Sequence, residues 1–240
     1  MSPLAMTSFT LIPYRTAGMS MNMPEMGMLM GTWSGQQWLI TLLMWWIMMI
    51  AMMLPSAAPM VLLHARVVRH AQRLSPLQVP SASFVGGYIL VWLLFSVLAT
   101  VLQWALQQQD WLSMNMATSN GWLSATFLIL AGGYQLSTIK QVCLKFCSSP
   151  AAFIAQHMQP GNWGALSLGV RHGLFCLGCC WLLMLLLFVG GVMNLLWIAV
   201  LSLFVWIEKI LPAWPMLPRL AGIGLIIWGL TILIFVIRSV

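Results

Sequence analysis

The chain alternates between long apolar segments and short segments that carry its few polar residues. Segments of about 20 apolar residues are long enough to cross a bilayer. A helix is the expected form because a spanning segment must satisfy its own backbone hydrogen bonds. The pattern therefore predicts an all-α, polytopic membrane bundle with six spans, the fourth and fifth joined by a tight turn at Gly190-Gly191. The spans lie at residues 36–54, 84–106, 122–139, 174–190, 192–208 and 220–237.

Composition excludes a water-soluble protein. Charged residues make up 5% of the 240 residues, against about 25% in soluble domains, and the 61% of hydrophobic residues also excludes disorder. No dinucleotide-binding, phosphate-loop or nucleophile-elbow motif is present, so we do not expect an enzyme. The net charge of +7 comes from cations spread thinly along the chain, and nucleic-acid binding would need them clustered.

The distribution of the cations predicts the orientation in the bilayer. Cytoplasmic loops carry an excess of Lys and Arg. Only Arg15 and Arg238 fall outside the loops that follow spans one, three and five. Both termini are therefore expected outside, with three basic loops in the cytoplasm. These loops contain Arg66, Arg69, Arg73, Lys140, Lys145, Arg171, Lys209 and Arg219.

Other polar residues in these loops have ordinary interpretations. His64, His70 and His157 stand beside polar residues, and we interpret them as solvated. Glu208 and Lys209, at the inner end of span five, are predicted to form an ion pair with each other at the membrane surface.

Methionine is concentrated in the first 35 residues, which we interpret as an external arm preceding a membrane domain over residues 36–240. Thioethers are soft ligands that select Cu(I), and they keep binding it where free thiols would oxidise. The alternative is that methionine serves as flexible filler at the membrane interface. The candidate copper ligands of the arm are Met19, Met21, Met23, Met26, Met28 and Met30.

Span one is also rich in methionine. Met44, Met48 and Met52 follow helical spacing and share a face, and Met49 and Met53 form a neighbouring ridge. These side chains are candidate weak metal ligands, although methionine is also an ordinary apolar residue of a span.

The five cysteines form two groups on the predicted cytoplasmic side. Cys143 and Cys147 are four residues apart just beyond span three, and a second group opens span four, with Met184 one turn further. Span three ends and span four begins at the same membrane face, so we expect the two groups to meet. The second group is Cys176, Cys179 and Cys180.

Three interpretations of the cysteines remain open: a metal–thiolate site, a redox site, or chance. Structural disulfides are not expected in the reducing cytoplasm. Four thiolates suit structural Zn(II), whereas two or three suit Cu(I). Basic neighbours are expected to lower the thiol pKa values. They are Lys140, Lys145, Arg171 and His172.

Together these motifs resemble the signature of a bacterial family of predicted metal-binding integral membrane proteins, a domain of unknown function. The resemblance covers residues 35–212, departs from the family pattern at residues 156–160, and has C-x-x-C-C-W as its specific part. The matching segments are Met48–Pro55, Gly133-Tyr134-Gln135, Lys140, Cys143–Cys147, Pro150, His172-Gly173, Cys176–Met184, Gly191–Asn194 and Glu208-Lys209.

The resemblance implies a polytopic inner-membrane protein that handles copper. A similar member, encoded beside a bacterial tyrosinase, is regarded as the copper chaperone of that enzyme, which implies a tyrosinase-like or other cuproenzyme as partner. Our leading hypothesis is a Cu(I) chaperone or facilitator, because no ATPase motif that would suit a pump is present. The alternatives are an assembly protein with a Zn(II)–thiolate site and a membrane thiol oxidoreductase.

Overall fold

A computed structural model describes residues 33–74, 81–112, 116–157, 159, 161–210 and 216–239. This part is helical apart from one isolated bridge between Leu112 and Thr118, which confirms the all-α prediction. The chain divides into two units, residues 1–39 and 40–240, and the helices lie in the second except for the first five residues of α1. In the described residues they are α1 (Gly35–Leu74), α2 (Ser81–Gln108), α3 (Gly121–Leu136), α4 (Thr138–Ser148), α5 (Pro150–His157), α6 (Gly161–Leu185), α7 (Leu187–Gly190), α8 (Leu195–Ile210) and α9 (Met216–Ser239).

Helix α1 is much longer than the first predicted span. The prediction ended the span at residue 54 because two prolines follow, but the helix continues through Pro55 and Pro59 to Leu74. A membrane helix tolerates proline when its surroundings satisfy the freed backbone groups. The segment with Arg66 and Arg69, predicted as a loop, is therefore helical.

Four helical segments of the described part are long and apolar enough to cross a membrane. The third of them begins well before the predicted residue 174, because the helix runs through Arg171 and His172 without a break. Predicted spans three and five coincide with α3 and α8, which have 16 residues each. The four segments are Gly35–His70, Ser81–Gln108, Gly161–Gly190 and Met216–Arg238.

Glycines bring two pairs of helices into backbone contact. Between α2 and α6, a Cβ on Gly87 or Gly169 would collide with a carbonyl oxygen of the facing helix. Between α3 and α9, Gly132 and Gly222 face each other in the same way. Small residues allow this close approach in membrane proteins, and the α2–α6 pair places α6 at the centre of the core.

Apolar side chains fill the core and also cover the outside. Trp45, Trp92 and Phe188 are buried in the same cluster as the cysteines of α6. Leu195 and Phe235 remain 80% and 74% exposed. Such a surface suits contact with lipid and agrees with a membrane protein.

The chain turns after Gly190, where the sequence predicted a turn. Helix α7 ends at Gly190, and Gly191 has a φ of 91°, a left-handed conformation that glycine adopts at little cost. The Asn194 side chain then accepts a hydrogen bond from Trp197 N at 3.2 Å, which caps the start of α8.

Candidate metal centre

A single serine turns the chain from α3 into α4, the short helix that carries Cys143 and Cys147. The hydroxyl of Ser137 donates to Tyr134 O at 2.7 Å and accepts from Lys140 N at 3.2 Å. It therefore closes one helix and caps the next. The Tyr134 hydroxyl also donates to the carbonyl of Gly178 on α6, which ties this corner to α6.

Helices α4 and α6 pack together and bring the two cysteine groups into contact, as the sequence predicted. Gly178 lies at the contact, where a Cβ would be 3.1 Å from Cys143 Sγ. The missing side chain leaves room for that sulfur. Cys143 and Cys147 are half-buried, and the remaining three are buried. These three are Cys176, Cys179 and Cys180.

The five cysteines are free thiols, and those of α6 are linked through one backbone carbonyl. The side chain of Cys147 interacts with the sulfurs of Cys176 and Cys179. The thiols of Cys179 and Cys180 each donate to Cys176 O at 3.0 Å. Cys176 therefore stands at the centre of the group, which we call the thiol cluster (Cys143, Cys147, Cys176, Cys179 and Cys180).

Two other helices reach Cys176. The ammonium of Lys209, on α8, donates to Cys176 Sγ and to Ser56 Oγ on α1, both at 2.9 Å. The hydroxyl of Tyr88, on α2, lies 3.1 Å from Cys176 Sγ and donates to Met53 O of α1 at 3.1 Å. Polar groups of α2 and α8 thus meet at one buried sulfur, and α1 holds both of them in place.

The predicted ion pair between Glu208 and Lys209 is wrong. Glu208 instead pairs with Lys140, whose Nζ lies 2.7 Å from Oε1 and 2.8 Å from Oε2, and Lys140 also donates to Gln135 Oε1. Neighbouring residues of a helix point in different directions, so Glu208 and Lys209 reach different partners. Both are buried within the protein.

The two thiols of α4, which lies outside the membrane-spanning segments, have raised pKa values. Burial, and then the nearby Cys179, raise the pKa of Cys143. Hydrogen bonds to Cys176 and Cys179, together with burial, raise the pKa of Cys147 well above its usual range. For these two thiols the expected lowering of the pKa by basic neighbours is wrong. Of those neighbours, Lys145 and Arg171 are exposed, Lys140 is paired with Glu208, and His172 is buried among aromatic rings.

The methionines of span one lie in the same core as the thiol cluster. Met49, Met52 and Met53 are buried with Met184 in the apolar cluster that contains the cysteines of α6, and Met48 is half-buried beside it. The candidate ligands of the external arm lie outside the described residues. They are Met19, Met21, Met23, Met26, Met28 and Met30.

Two histidines, His64 and His172, are buried, and the sequence did not reveal the burial of His64. The His64 ring stacks on Phe84 with 4.9 Å between ring centroids, and the His172 ring lies edge-on to Phe153 with 5.6 Å between centroids. In the described part of the chain, Nδ1 of each ring has no hydrogen-bond partner. The interpretation of His64 as solvated is therefore wrong, because α1 continues as a helix past the residues predicted to be a loop. His70 is exposed, as expected.

The donor chemistry of this region suits a soft monovalent metal. Thiolates and thioethers are the ligands that select Cu(I) over harder cations, and the core offers both. Within the described ranges, no group of three or more His, Cys, Asp or Glu side chains is already arranged to hold a metal ion.

Comparison with known proteins identifies a family. A sequence model of the PpoB2 family, described as copper chaperones, matches residues 42–232. Neither the curated proteins nor the solved structures contain a significant match. The matched region includes the thiol cluster, the methionines of span one, and Lys209. Since it covers well over half of the chain, the protein belongs to the PpoB2 family of copper chaperones.

Proposed function

We propose that this protein is an inner-membrane chaperone that holds Cu(I) as its cargo on the thiol cluster and passes it to a cuproenzyme. The observation that carries the proposal is the convergence of five free thiols where α4 packs against α6, three of them buried and two half-buried. The family assignment supports copper as the metal.

The proposed ligands differ in strength. Two or three thiolates of the thiol cluster bind Cu(I) most tightly, since thiolate is the stronger of the two soft ligands. Thioethers then provide weaker sites through which the ion can pass. In the core these are Met48, Met49, Met52, Met53 and Met184.

The membrane arrangement belongs to the same proposal. Six spans place both termini outside and the thiol cluster near the cytoplasmic face, with α3 and α8 as the two short spans. The methionine arm of residues 1–35 then exchanges Cu(I) outside, where a tyrosinase-like or other cuproenzyme receives it. Thiolates bind more tightly than thioethers, so outward delivery requires an acceptor of higher affinity.

Metal content of the detergent-purified protein tests this proposal. Wild type and a variant with all five cysteines changed to serine are loaded anaerobically with Cu(I) in the presence of competing Zn(II), and bound metal is measured by elemental mass spectrometry. A matched variant has leucine in place of the six arm methionines. Helical circular dichroism and size-exclusion profiles check that all three proteins are folded.

We expect the wild type and the arm variant to retain copper and the serine variant to lose most of it. Zinc bound in place of copper would instead support a structural Zn(II)–thiolate site. If the wild type binds neither metal, the chaperone proposal fails, and reversible disulfide formation between Cys179 and Cys180 becomes the property to measure.

A further inference from the structure

Lys209 is a buried cation whose ammonium is hydrogen-bonded to a sulfur. Its ammonium donates to Cys176 Sγ and Ser56 Oγ, both at 2.9 Å, and its side chain is 6% exposed. The Ser56 hydroxyl donates its own proton to Met53 O at 2.8 Å, so its oxygen is free to accept from Nζ. These hydrogen bonds place the positive charge of Lys209 next to the thiol cluster.

No carboxylate competes for that charge in the described part of the chain. The one ion pair recorded there joins Lys140 to Glu208, the neighbour of Lys209 on α8. The whole chain has only three acidic residues, and Lys140 approaches both carboxylate oxygens of Glu208. Lys140 thus balances Glu208, and Lys209 is left as the surplus buried cation.

We propose that Lys209 is the counter-cation of the copper site, compensating the negative charge that a Cu(I) ion bound by two thiolates leaves behind. This inference rests on the proposed function. One Cu(I) and two thiolates sum to a charge of −1, which the ammonium brings to zero. Zn(II) bound by four thiolates would sum to −2 and leave −1 uncompensated. A buried net charge is costly, so Lys209 favours the two-thiolate copper complex.

Removal of the charge at Lys209 tests the inference. Full-length wild type, Lys209→Leu, Lys209→Gln and Lys209→Arg are purified in detergent, and Cu(I) affinity is measured by competition with a colorimetric Cu(I) chelator. Lys209→Gln keeps an N–H donor for Ser56 Oγ without the charge. Lys145→Leu is the matched control, since it removes an exposed lysine between the two cysteines of α4. The melting temperature of each protein is recorded without and with copper.

The expected result is a fall in Cu(I) affinity of about 10- to 100-fold in Lys209→Leu and Lys209→Gln, because a hydrogen bond to a charged group is worth at least one factor of ten. Lys209→Arg should recover part of the affinity, and Lys145→Leu should match the wild type. The rise in melting temperature on adding copper should shrink in the two neutral variants, as linkage requires. A purely structural lysine would change the melting temperature of the metal-free protein and leave this rise intact.

The outcomes separate the two proposals. If the wild type binds no Cu(I), the proposed function has failed. If the wild type binds Cu(I) and the neutral variants bind it equally well, the counter-cation role is overturned and the proposed function stands. The counter-cation role would also be overturned if both neutral variants lost the helical fold without metal, because Lys209 would then be needed for folding itself.

Discussion

Replacing Gly178 with leucine tests whether copper binding needs α4 and α6 in contact. A Cβ at this position would lie 3.1 Å from Cys143 Sγ and 3.8 Å from Cys143 Cβ, whereas relaxed heavy-atom contacts lie at about 3.5–4.0 Å. Alanine therefore needs a shift of only a few tenths of an ångström. The free-energy cost of this shift is offset because alanine is more favourable than glycine in a helix by roughly 1 kcal/mol. We expect Gly178→Ala to bind Cu(I) nearly as the wild type does.

Leucine adds three more carbons to the same space. Overpacking of this kind costs about 1–3 kcal/mol, and the strain is relieved when α4 moves away from α6. Copper binding must then restore the contact, so the cost is taken from the binding free energy. The Cu(I) affinity should fall by about 5- to 150-fold.

The assay is chelator competition with purified Gly178→Leu, and Gly133→Leu serves as the control. Gly133 has no atom within 4 Å of its would-be Cβ, so its variant should bind copper like the wild type. Equal affinity of Gly178→Leu and the wild type, with both folded, would refute the idea that thiols of both helices hold the ion.

Two further predictions concern stability. Lys140→Met leaves Glu208 buried without its partner and should lower the free energy of unfolding by about 3–5 kcal/mol. Lys140→Met combined with Glu208→Leu should recover most of this loss, and thermal unfolding in detergent measures both variants. A double variant that is no more stable than the single variant would contradict the ion-pair explanation. Gly169→Ala places a Cβ against the backbone carbonyl of Phe84 and should abolish monodisperse, folded protein in size-exclusion chromatography. Gly86→Ala, with open space around its Cβ, should keep the wild-type yield, and normal folding of Gly169→Ala would argue against the close α2–α6 contact.

The meeting of the two cysteine groups could be predicted because it depends on local spacing and on membrane topology. Cys143 and Cys147 share a helix face through their four-residue separation. The end of one span and the start of the next lie at the same membrane face, which limits where Cys176 can be. Neither argument needs the rotation of a helix about its axis.

The partners of Glu208 and Lys209 could not be predicted, because they depend on that rotation. Adjacent residues on a helix point in directions about 100° apart, and which of them faces Cys176 depends on how α8 packs against α1 and α4. Hydropathy also cannot reveal that α1 continues through Pro55, because a proline ends a helix in water but is tolerated where protein surrounds it. The burial of His64 follows from that continuation.

The length of α1 exceeds what a membrane span requires. Its 40 residues span about 60 Å at 1.5 Å per residue, while the hydrocarbon layer is about 30 Å thick. Even a tilt of about 40°, the upper end of the usual range, stretches the path through that layer to only about 39 Å. If α1 crosses that layer, about a third of it lies outside the hydrocarbon. Val68, in its last turns, is buried with Ala165 of α6, so this end of α1 packs against α6. Such an overhang would form a small part of the protein outside the membrane, built from packed helix ends.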